Sequence, residues 1–499
     1  MDFLESPSFL PPLLYAPLLV GSLCLVFNYL VYSRRVAHWR NTSGASAPIP
    51  QPFVPLDRIY QENEDKDLVA FFITTMPVVL LRKTGLQQIA YNFVKNFDKA
   101  FKTGFAVSEN DEITHPICSA NLVTKTSGKP NETRSLLCSR QQGFSGERFA
   151  KIRNQITLMW THVEEARLKE NPAFVIFQVA GIFFQDIISN SFLALDDNSY
   201  EKEGEFRKFL KSLVAPGWGK LLGVLAQMHL QRIPTFESLK FITQKHIESM
   251  KSLLQRQIKQ RSQTDAQRDD LIDLLIRLKE QDQDGKSDSE MNVTNEMISL
   301  GLSLLLGGKS VATVDNMVSF TMHLLSLYPE YQEQIRQEVE EVVRDLHFLN
   351  QCLHETSRLY PNTSVLTRVC TEDFTPAGTN YTFKRGELII VDPYSIHRDA
   401  EYFENPDVFD PDRFSPKNKD SRLVDAFLSF GKGPRKCPGN NVALLIASTL
   451  IGSLLHKYEV RPHSHTKQMD ASDFHPRSFA IVHKDDVLVD VAPRGIVAY

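Results

Sequence analysis

The chain has 499 residues, 42% of them hydrophobic and 23% charged, and a formal net charge of -4. That length holds one large domain or two to three ordinary ones, and the composition permits a sizeable apolar core. The net charge implies no whole-chain attraction to nucleic acid or to anionic membranes, and the chain has no long run of like charge and no repeat at a solenoid period.

Six cysteines, Cys24, Cys118, Cys138, Cys352, Cys370 and Cys437, are scattered without a CxxC pair. This spacing argues against a disulfide scaffold and a structural zinc site, and it fits a reducing compartment. Leu13 to Tyr32 form a 20-residue stretch dominated by Leu, Val, Phe, Tyr and Ala. As a helix it would rise about 30 Å, the thickness of a bilayer's hydrocarbon core. Arg34, Arg35 and Arg40 follow it, whereas only Asp2 and Glu5 precede it. That order predicts a membrane anchor over residues 1–40 with the bulk of the chain in the cytosol; a cleaved signal peptide would carry its basic residues first. Pro48, Pro50, Pro52 and Pro55 block helix and predict a stiff linker over residues 41–56. Asn131-Glu132-Thr133 and Asn292-Val293-Thr294 match a glycosylation pattern, but in a cytosolic domain they are chance matches.

Residues 108 to 146 are polar and loop-like, and hydrophobic periodicity from 150 to 360 is mainly helical. One long apolar helix is predicted from Thr294 to Leu327, with Gly307-Gly308 inside it. Pro329 then opens an amphipathic, charged helix from Tyr331 to about Arg344. Glu355 and Arg358 lie three apart, so they share a helix face, and Pro361 ends that helix promptly. Short strand-like runs follow, Leu388 to Val391 and Val487 to Val491. The prediction is a mainly α-helical domain beside a smaller β region.

Near the C-terminus the chain reads Phe430-Gly431-Lys432-Gly433-Pro434-Arg435-Lys436-Cys437-Pro438-Gly439, and an apolar helical run follows from Asn440 to Ser448. A glycine-rich turn thus delivers a cysteine to the start of a helix. Glycine permits close approach of the backbone to a flat ligand. A helix N-terminus stabilises a thiolate, and nearby backbone N–H groups tune a metal bound to it. The run resembles the haem-binding signature of the cytochromes P450, Phe-x-x-Gly-x-Arg-x-Cys-x-Gly, with Phe430, Gly433, Arg435, Cys437 and Gly439 at its fixed positions.

That resemblance implies a haem b whose iron is ligated by Cys437, a thiolate that pushes electron density onto the metal and favours O–O cleavage. It also implies that Phe430 packs by the sulfur, that Arg435 pairs with a propionate and that Gly439 lines the haem. Thr367-Arg368 sits where a strand arginine usually meets a propionate. Phe149-x-x-x-Arg153 resembles the Trp-x-x-x-Arg helix that holds the propionates, which makes Arg153 a further partner, although Phe149 lacks the indole N–H. Phe409-Asp410-Pro411-Asp412-Arg413-Phe414 resembles the loop whose arginine completes a network with the helix pair, here Glu355, Arg358 and Arg413. Its implied role is folding and haem retention. Ser395 to Asp399 also falls at the usual place. Asp186 to Phe192, Asn198-Ser199, Glu205-Phe206-Arg207 and Ile117 to Leu122 look most like insect microsomal P450s.

The family resemblance implies residues 57–499 as the catalytic domain, facing the cytosol from the endoplasmic reticulum membrane. The implied reaction inserts one oxygen atom from O2 into a small apolar organic substrate, such as a hormone, a lipid or a xenobiotic. Electrons would come from NADPH through NADPH–cytochrome P450 reductase, with cytochrome b5 as a further partner. Lys432, Arg435, Lys436 and Lys151 suggest a basic patch for an acidic partner.

The chain departs from the family on the long helix, which usually carries Ala/Gly-Gly-x-Asp/Glu-Thr-Thr/Ser. Here the run is Gly307-Gly308-Lys309-Ser310-Val311-Ala312. Ser310 replaces the acid, and Val311 keeps the threonine's shape without its hydroxyl. Thr313 stands two residues on, about 200° around the helix, and does not simply replace it. Gly307, Gly308 and Ser310 are therefore the candidate catalytic positions. Three readings follow: an oxygenase that relays protons through Ser310, water or the substrate's own hydroxyl; a peroxide isomerase or dehydratase; or a non-catalytic haem-binding protein. The segment from Pro329 to Glu355 and the stretch after Arg153 are also shorter than family habit, and 108 to 146, which usually roofs the substrate pocket, is enlarged.

Overall fold

The computed structural model describes residues 50–51, 56–73, 76–83, 97–98, 146–168, 173–193, 195, 197–214, 244–263, 272–273, 276, 309–341, 346–362, 365–370, 372–375, 381–385, 387–418, 421–432, 436–437, 439–463, 469, 483 and 487–494. The anchor expected over residues 1–40, the enlarged segment 108–145, Gly307, Gly308, Gly433 and Arg435 lie outside the described residues. Among the described residues no helix is long and apolar enough to cross a membrane.

In chain order the elements are β1 (Pro50–Gln51), α1 (Leu56–Gln61), β2 (Leu68–Ile73), β3 (Met76–Leu81), β4 (Phe97–Asp98), α2 (Gly146–Leu168), β5 (Ala173–Val175), α3 (Ile176–Phe192), α4 (Glu205–Val214) and α5 (Gln244–Arg261). There follow α6 (Lys309–Leu327), α7 (Pro329–Glu340), α8 (His347–Leu359), β6 (Leu366–Cys370), β7 (Leu388–Val391), α9 (Pro393–Ile396), α10 (Ser421–Ala426), α11 (Asn440–Lys457), β8 (Tyr458–Pro462) and β9 (Leu488–Pro493).

The helical layer is organised around α6. Its residues from Val314 to Ser326 are all buried, as befits a helix covered on every side. The hydroxyls of Thr321 and Ser326 donate to carbonyls of their own helix, Met317 at 2.6 Å and His323 at 2.6 Å, so these buried polar groups are satisfied locally. Helices α3, α8 and α11 pack around α6, and Val179, Phe183, Ile187, Leu353, Ile446 and Leu450 belong to their shared apolar core. Pro329 occupies the first turn of α7, where its missing N–H costs nothing. This helix ends at Glu340, four residues short of the expected Arg344.

The six-stranded sheet has the order β1-β2-β3-β7-β6-β4, and a second sheet the order β5-β9-β8. Val78 to Leu81 pair in parallel with Leu388 to Val391; both runs are apolar, and Val78 to Leu81 and Ile389 to Val391 are buried in the second core cluster. Pro50 and Gln51 pair in parallel with Phe72 and Ile73 at the sheet margin, a place where proline's lack of an N–H is tolerated. Leu56 already opens α1.

Gly181 on α3 faces Asp315 on α6. The Asp315 side chain is buried, its Oδ1 has no hydrogen-bond partner, and burial holds its carboxyl well above the ordinary range, with the Arg207 guanidinium opposing. A Cβ on Gly181 would meet Asp315 Oδ2 at 2.9 Å. Glycine is thus the residue that lets this acid fit between two packed helices. Gly181→Val is expected to cost about 1–3 kcal/mol in denaturant unfolding, and adding Asp315→Ala should recover most of that loss if the clash is its cause.

Candidate haem-thiolate site

The site is assembled from α8 outward. Glu355 and Arg358 are completely buried. Arg358 Nε donates to Glu355 Oε2 at 2.8 Å and Nη2 to Oε1 at 2.7 Å, a two-pronged pair. The other guanidinium donors reach three backbone carbonyls: Nη1 goes to His397 at 2.7 Å and Pro406 at 2.6 Å, and Nη2 to Val408 at 3.1 Å. Every donor of this buried cation therefore has a partner. Arg413, from the 3-10 turn Pro411–Phe414, brings its Nε within 3.3 Å of Glu355 Oε1, an ion-pair contact without hydrogen-bond alignment. Its Nη2 donates to Asn405, whose φ of 47° turns the backbone locally left-handed. The Asp410 N–H adds a further bond to Glu355 Oε1 at 3.0 Å.

Helix α9 sets the next layer. Asp392 caps it by accepting from the Tyr394 and Ser395 N–H groups and from the Ser395 hydroxyl. Burial pushes its carboxyl up to about 6. The helix delivers His397, which is fully buried. His397 Nδ1 lies 2.9 Å from the Arg358 carbonyl, and the Leu428 N–H lies 2.9 Å from Nε2. A carbonyl only accepts and an amide N–H only donates, so Nδ1 carries the hydrogen and the ring is neutral. Burial, and then the nearby Arg358, push its pKa down to about 3.

Leu428 begins the approach to the cysteine. Its carbonyl accepts from Gly431 N–H at 2.8 Å, a turn that requires φ of 67° at Gly431. Ser429 Oγ donates to the Ser357 carbonyl. The Cys437 N–H then bonds to the Phe430 carbonyl at 2.8 Å and closes the loop just before α11. Cys437 is exposed, whereas Cys352 and Cys370 are buried. Burial raises the Cys352 thiol strongly and the Cys370 thiol to about 11. Of the described cysteines, then, only Cys437 is presented for ligation. A Cβ added at Gly431 or Gly439 would meet nothing within 4 Å, so the backbone on either side of this sulfur donor can lie against a broad flat group. The donor chemistry and the loop fit a haem.

The family model described as Cytochrome P450 matches residues 57–486. The chain belongs to the cytochrome P450 family. Similar proteins include cytochrome P450 6k1 of Blattella germanica, 26% identical with 89% of this chain and 91% of that protein covered. A probable cytochrome P450 6d2 of Drosophila melanogaster is 25% identical, covering 87% of this chain and 91% of its own. Cytochrome P450 6B6 of Helicoverpa armigera is 23% identical, covering 97% and 99%. Membership makes this a haem-thiolate oxidoreductase of the monooxygenase type, with a cysteine thiolate as iron ligand, and the mostly helical fold with a small sheet region agrees with it.

Within this P450 the sequence-predicted residues are not all gathered together. Glu355, Arg358 and Arg413 meet as described. Arg368 is buried on β6. Phe430 is half-buried against the main core, and Gly439 is the residue before α11. Arg153 instead stands on the exposed side of α2, whose Ile152, Gln155 and Met159 turn inward. Further along α2, Trp160 Nε1 donates to the Ser453 carbonyl near the C-terminal end of α11, the end remote from Cys437. The propionate role of Arg153 thus rests on the sequence pattern alone. Ser310 lies in the first turn of α6.

Sequence reading placed His397 in the family pattern without assigning it a role. A buried histidine bridging two backbone groups leaves no spacing signal, because its partners are 39 residues before it and 31 after it.

Removing Glu355 leaves the buried Arg358 guanidinium and the partly buried Arg413 without their shared counter-charge. Glu355→Ala is expected to cost about 3–5 kcal/mol in equilibrium unfolding. Arg413→Ala, at the partly exposed margin of the network, should cost less than half as much; equal losses would contradict the central place of the Glu355–Arg358 pair.

Proposed function

We propose that this chain is a membrane-anchored P450 monooxygenase acting on a small apolar organic substrate. The observation that carries the reading is Cys437, the exposed thiol at the head of α11, held by its own N–H to Phe430. Cys437 would hold the haem iron, with Phe430 beside the sulfur, Gly439 against the macrocycle, and Arg435, Arg368 and Arg153 toward the propionates. When bound, the haem supplies activation of dioxygen and transfer of one oxygen atom to the substrate.

The protein's own contribution is positioning. Glu355, Arg358 and Arg413 would keep the loops under the haem in register. Gly307, Gly308 and Ser310 would line the distal side, with the Ser310 hydroxyl moving protons directly or through a water. Electrons would come from NADPH through NADPH–cytochrome P450 reductase, with cytochrome b5 as a second partner. Lys436, exposed beside Cys437, and Lys432, paired with Asp425 at 2.8 Å, support a basic approach surface. Residues 1–40 would anchor the protein in the endoplasmic reticulum membrane, and residues 57–499 would form the cytosolic catalytic domain. Hormones, lipids or xenobiotics, insecticides among them, are the substrate classes of this reading.

A second reading is favoured by Val311, which brings no hydroxyl to the helix: the chain would rearrange or dehydrate peroxides. Two assays separate the readings. A monooxygenase consumes NADPH in a substrate-dependent way with reductase present; a peroxide enzyme converts a lipid hydroperoxide with no reductase; a carrier does neither. Cys437→Ala should abolish the thiolate-type band of the reduced carbon-monoxide spectrum, and an unchanged spectrum would overturn the whole assignment. Position 311 lies one helical turn before Asp315, the residue turned toward α3. If Val311 nevertheless marks a missing relay, Val311→Thr should raise the fraction of NADPH electrons recovered as product; no change would remove position 311 from the relay.

A further inference from the structure

Two routes connect the charge network to the loop that carries the cysteine, and both pass through atoms already located. In the first, Arg358 and His397 hold one another reciprocally: the Arg358 guanidinium donates to the His397 carbonyl, and the His397 ring donates to the Arg358 carbonyl. The ring's second nitrogen accepts the Leu428 N–H. Leu428 is two residues before Phe430, whose carbonyl receives the Cys437 N–H. In the second route, the Ser429 hydroxyl reaches the Ser357 carbonyl. Segment 427–430, whose Phe427 N–H bonds to the Leu423 carbonyl, is therefore tied to α8 by a ring and a hydroxyl rather than by a sheet ladder. Phe427 stacks on the His397 ring, 5.6 Å between centroids and 15° between planes, and fixes the ring's plane. Phe403 meets the same ring edge-on at 5.8 Å.

We propose that His397 is a positioning residue for the Cys437 thiolate, acting as a neutral two-ended bridge from the Arg358 carbonyl to the Leu428 amide. The inference rests on Cys437 being the iron ligand. The bridge spans two backbone groups that would otherwise be buried and unpaired, and both ends must be engaged for Leu428 to hold its place. Leu428 in turn receives the Gly431 N–H that closes the turn into the cysteine loop. Loss of the bridge lets segment 427–430 shift, and the Phe430 carbonyl shifts with it. The consequence falls on the sulfur's hydrogen-bonding and on retention of its charge, a different quantity from global stability.

The test uses the full chain loaded with haem, in three forms besides the native one. His397→Phe keeps an aromatic ring for Phe427 to stack on but has neither nitrogen. His397→Gln keeps one donor and one acceptor. Gly181→Val is a control that destabilises the α3–α6 contact, away from this bridge. Two quantities are read on each: the ratio of thiolate-type to thiol-type bands in the reduced carbon-monoxide spectrum, and the denaturant midpoint. His397→Phe should lower the ratio on the order of tenfold, as expected for buried groups left unpaired. His397→Gln should restore most of it, and Gly181→Val should lower the midpoint without moving the ratio.

An unchanged ratio in His397→Phe overturns the proposal. So does a Gln variant no better than Phe, or a control that shifts the ratio as far. If His397→Phe yields no loaded protein, His397→Asn, whose amide is too short to span both groups, takes its place, and an unchanged ratio there is equally fatal. Native protein without a thiolate-type band would instead refute the ligand assignment of Cys437 itself.

Discussion

A carboxylate with no solvent around it is held between guanidiniums at the centre of this protein. Transferring Glu355 and Arg358 from water is expensive, and their attraction offsets that cost only because nearly every lone pair and donor is used. Of the five Arg358 donors, two face the carboxylate and three face carbonyls of His397, Pro406 and Val408. Those carbonyls belong to a stretch of irregular chain 39 to 50 residues further on. The network therefore does more than pair charges. It tells a segment with little secondary structure of its own where to lie on α8, and a misplacement would leave buried charge unpaired. Such a pair contributes specificity of arrangement more than net stability.

The cysteine loop inherits its position from that arrangement. Residues 427–432 form no ladder with a neighbouring strand. They are held by discrete bonds to α8 and His397, and then by the left-handed turn at Gly431. Helix α11 fixes the other side, with Val442, Ile446, Leu450 and Leu454 in the core. Between this tethered segment and a packed helix, Cys437 is kept exposed. Reactivity and packing are thereby separated: Cys352 and Cys370, absorbed into the cores, are driven toward the inert thiol form.

The long helix shows the opposite economy. Buried from Val314 to Ser326, α6 still carries Asp315, Asn316, Ser319 and His323 in the interior. Asp315 is tolerated because Gly181 leaves room for it, and burial favours its neutral form. A departure in local chemistry on this helix is thus accommodated by its neighbours, without loss of the helix itself. The same holds at the sheet margin, where Pro50 joins a strand by lying at an edge where no amide is needed.

The amino-acid sequence by itself determined the family, the candidate cysteine and the helical class, because these are written in short local patterns. Five fixed residues around Cys437, the three-residue spacing of Glu355 and Arg358, and the apolar runs at 388–391 and 487–491 all depend on neighbours in the chain. The meeting of Arg413 with Glu355 was legible as well, but only through resemblance to the family, since 58 residues separate them. Tertiary structure alone decided the bridge at His397, the Asp315–Gly181 contact, the pairing of residues 78–81 with 388–391 and the exposed setting of Arg153. The physical reason is common to all four. Whether a polar group is buried, and whom it meets there, is set by which surfaces of remote segments come together, and no local periodicity records that.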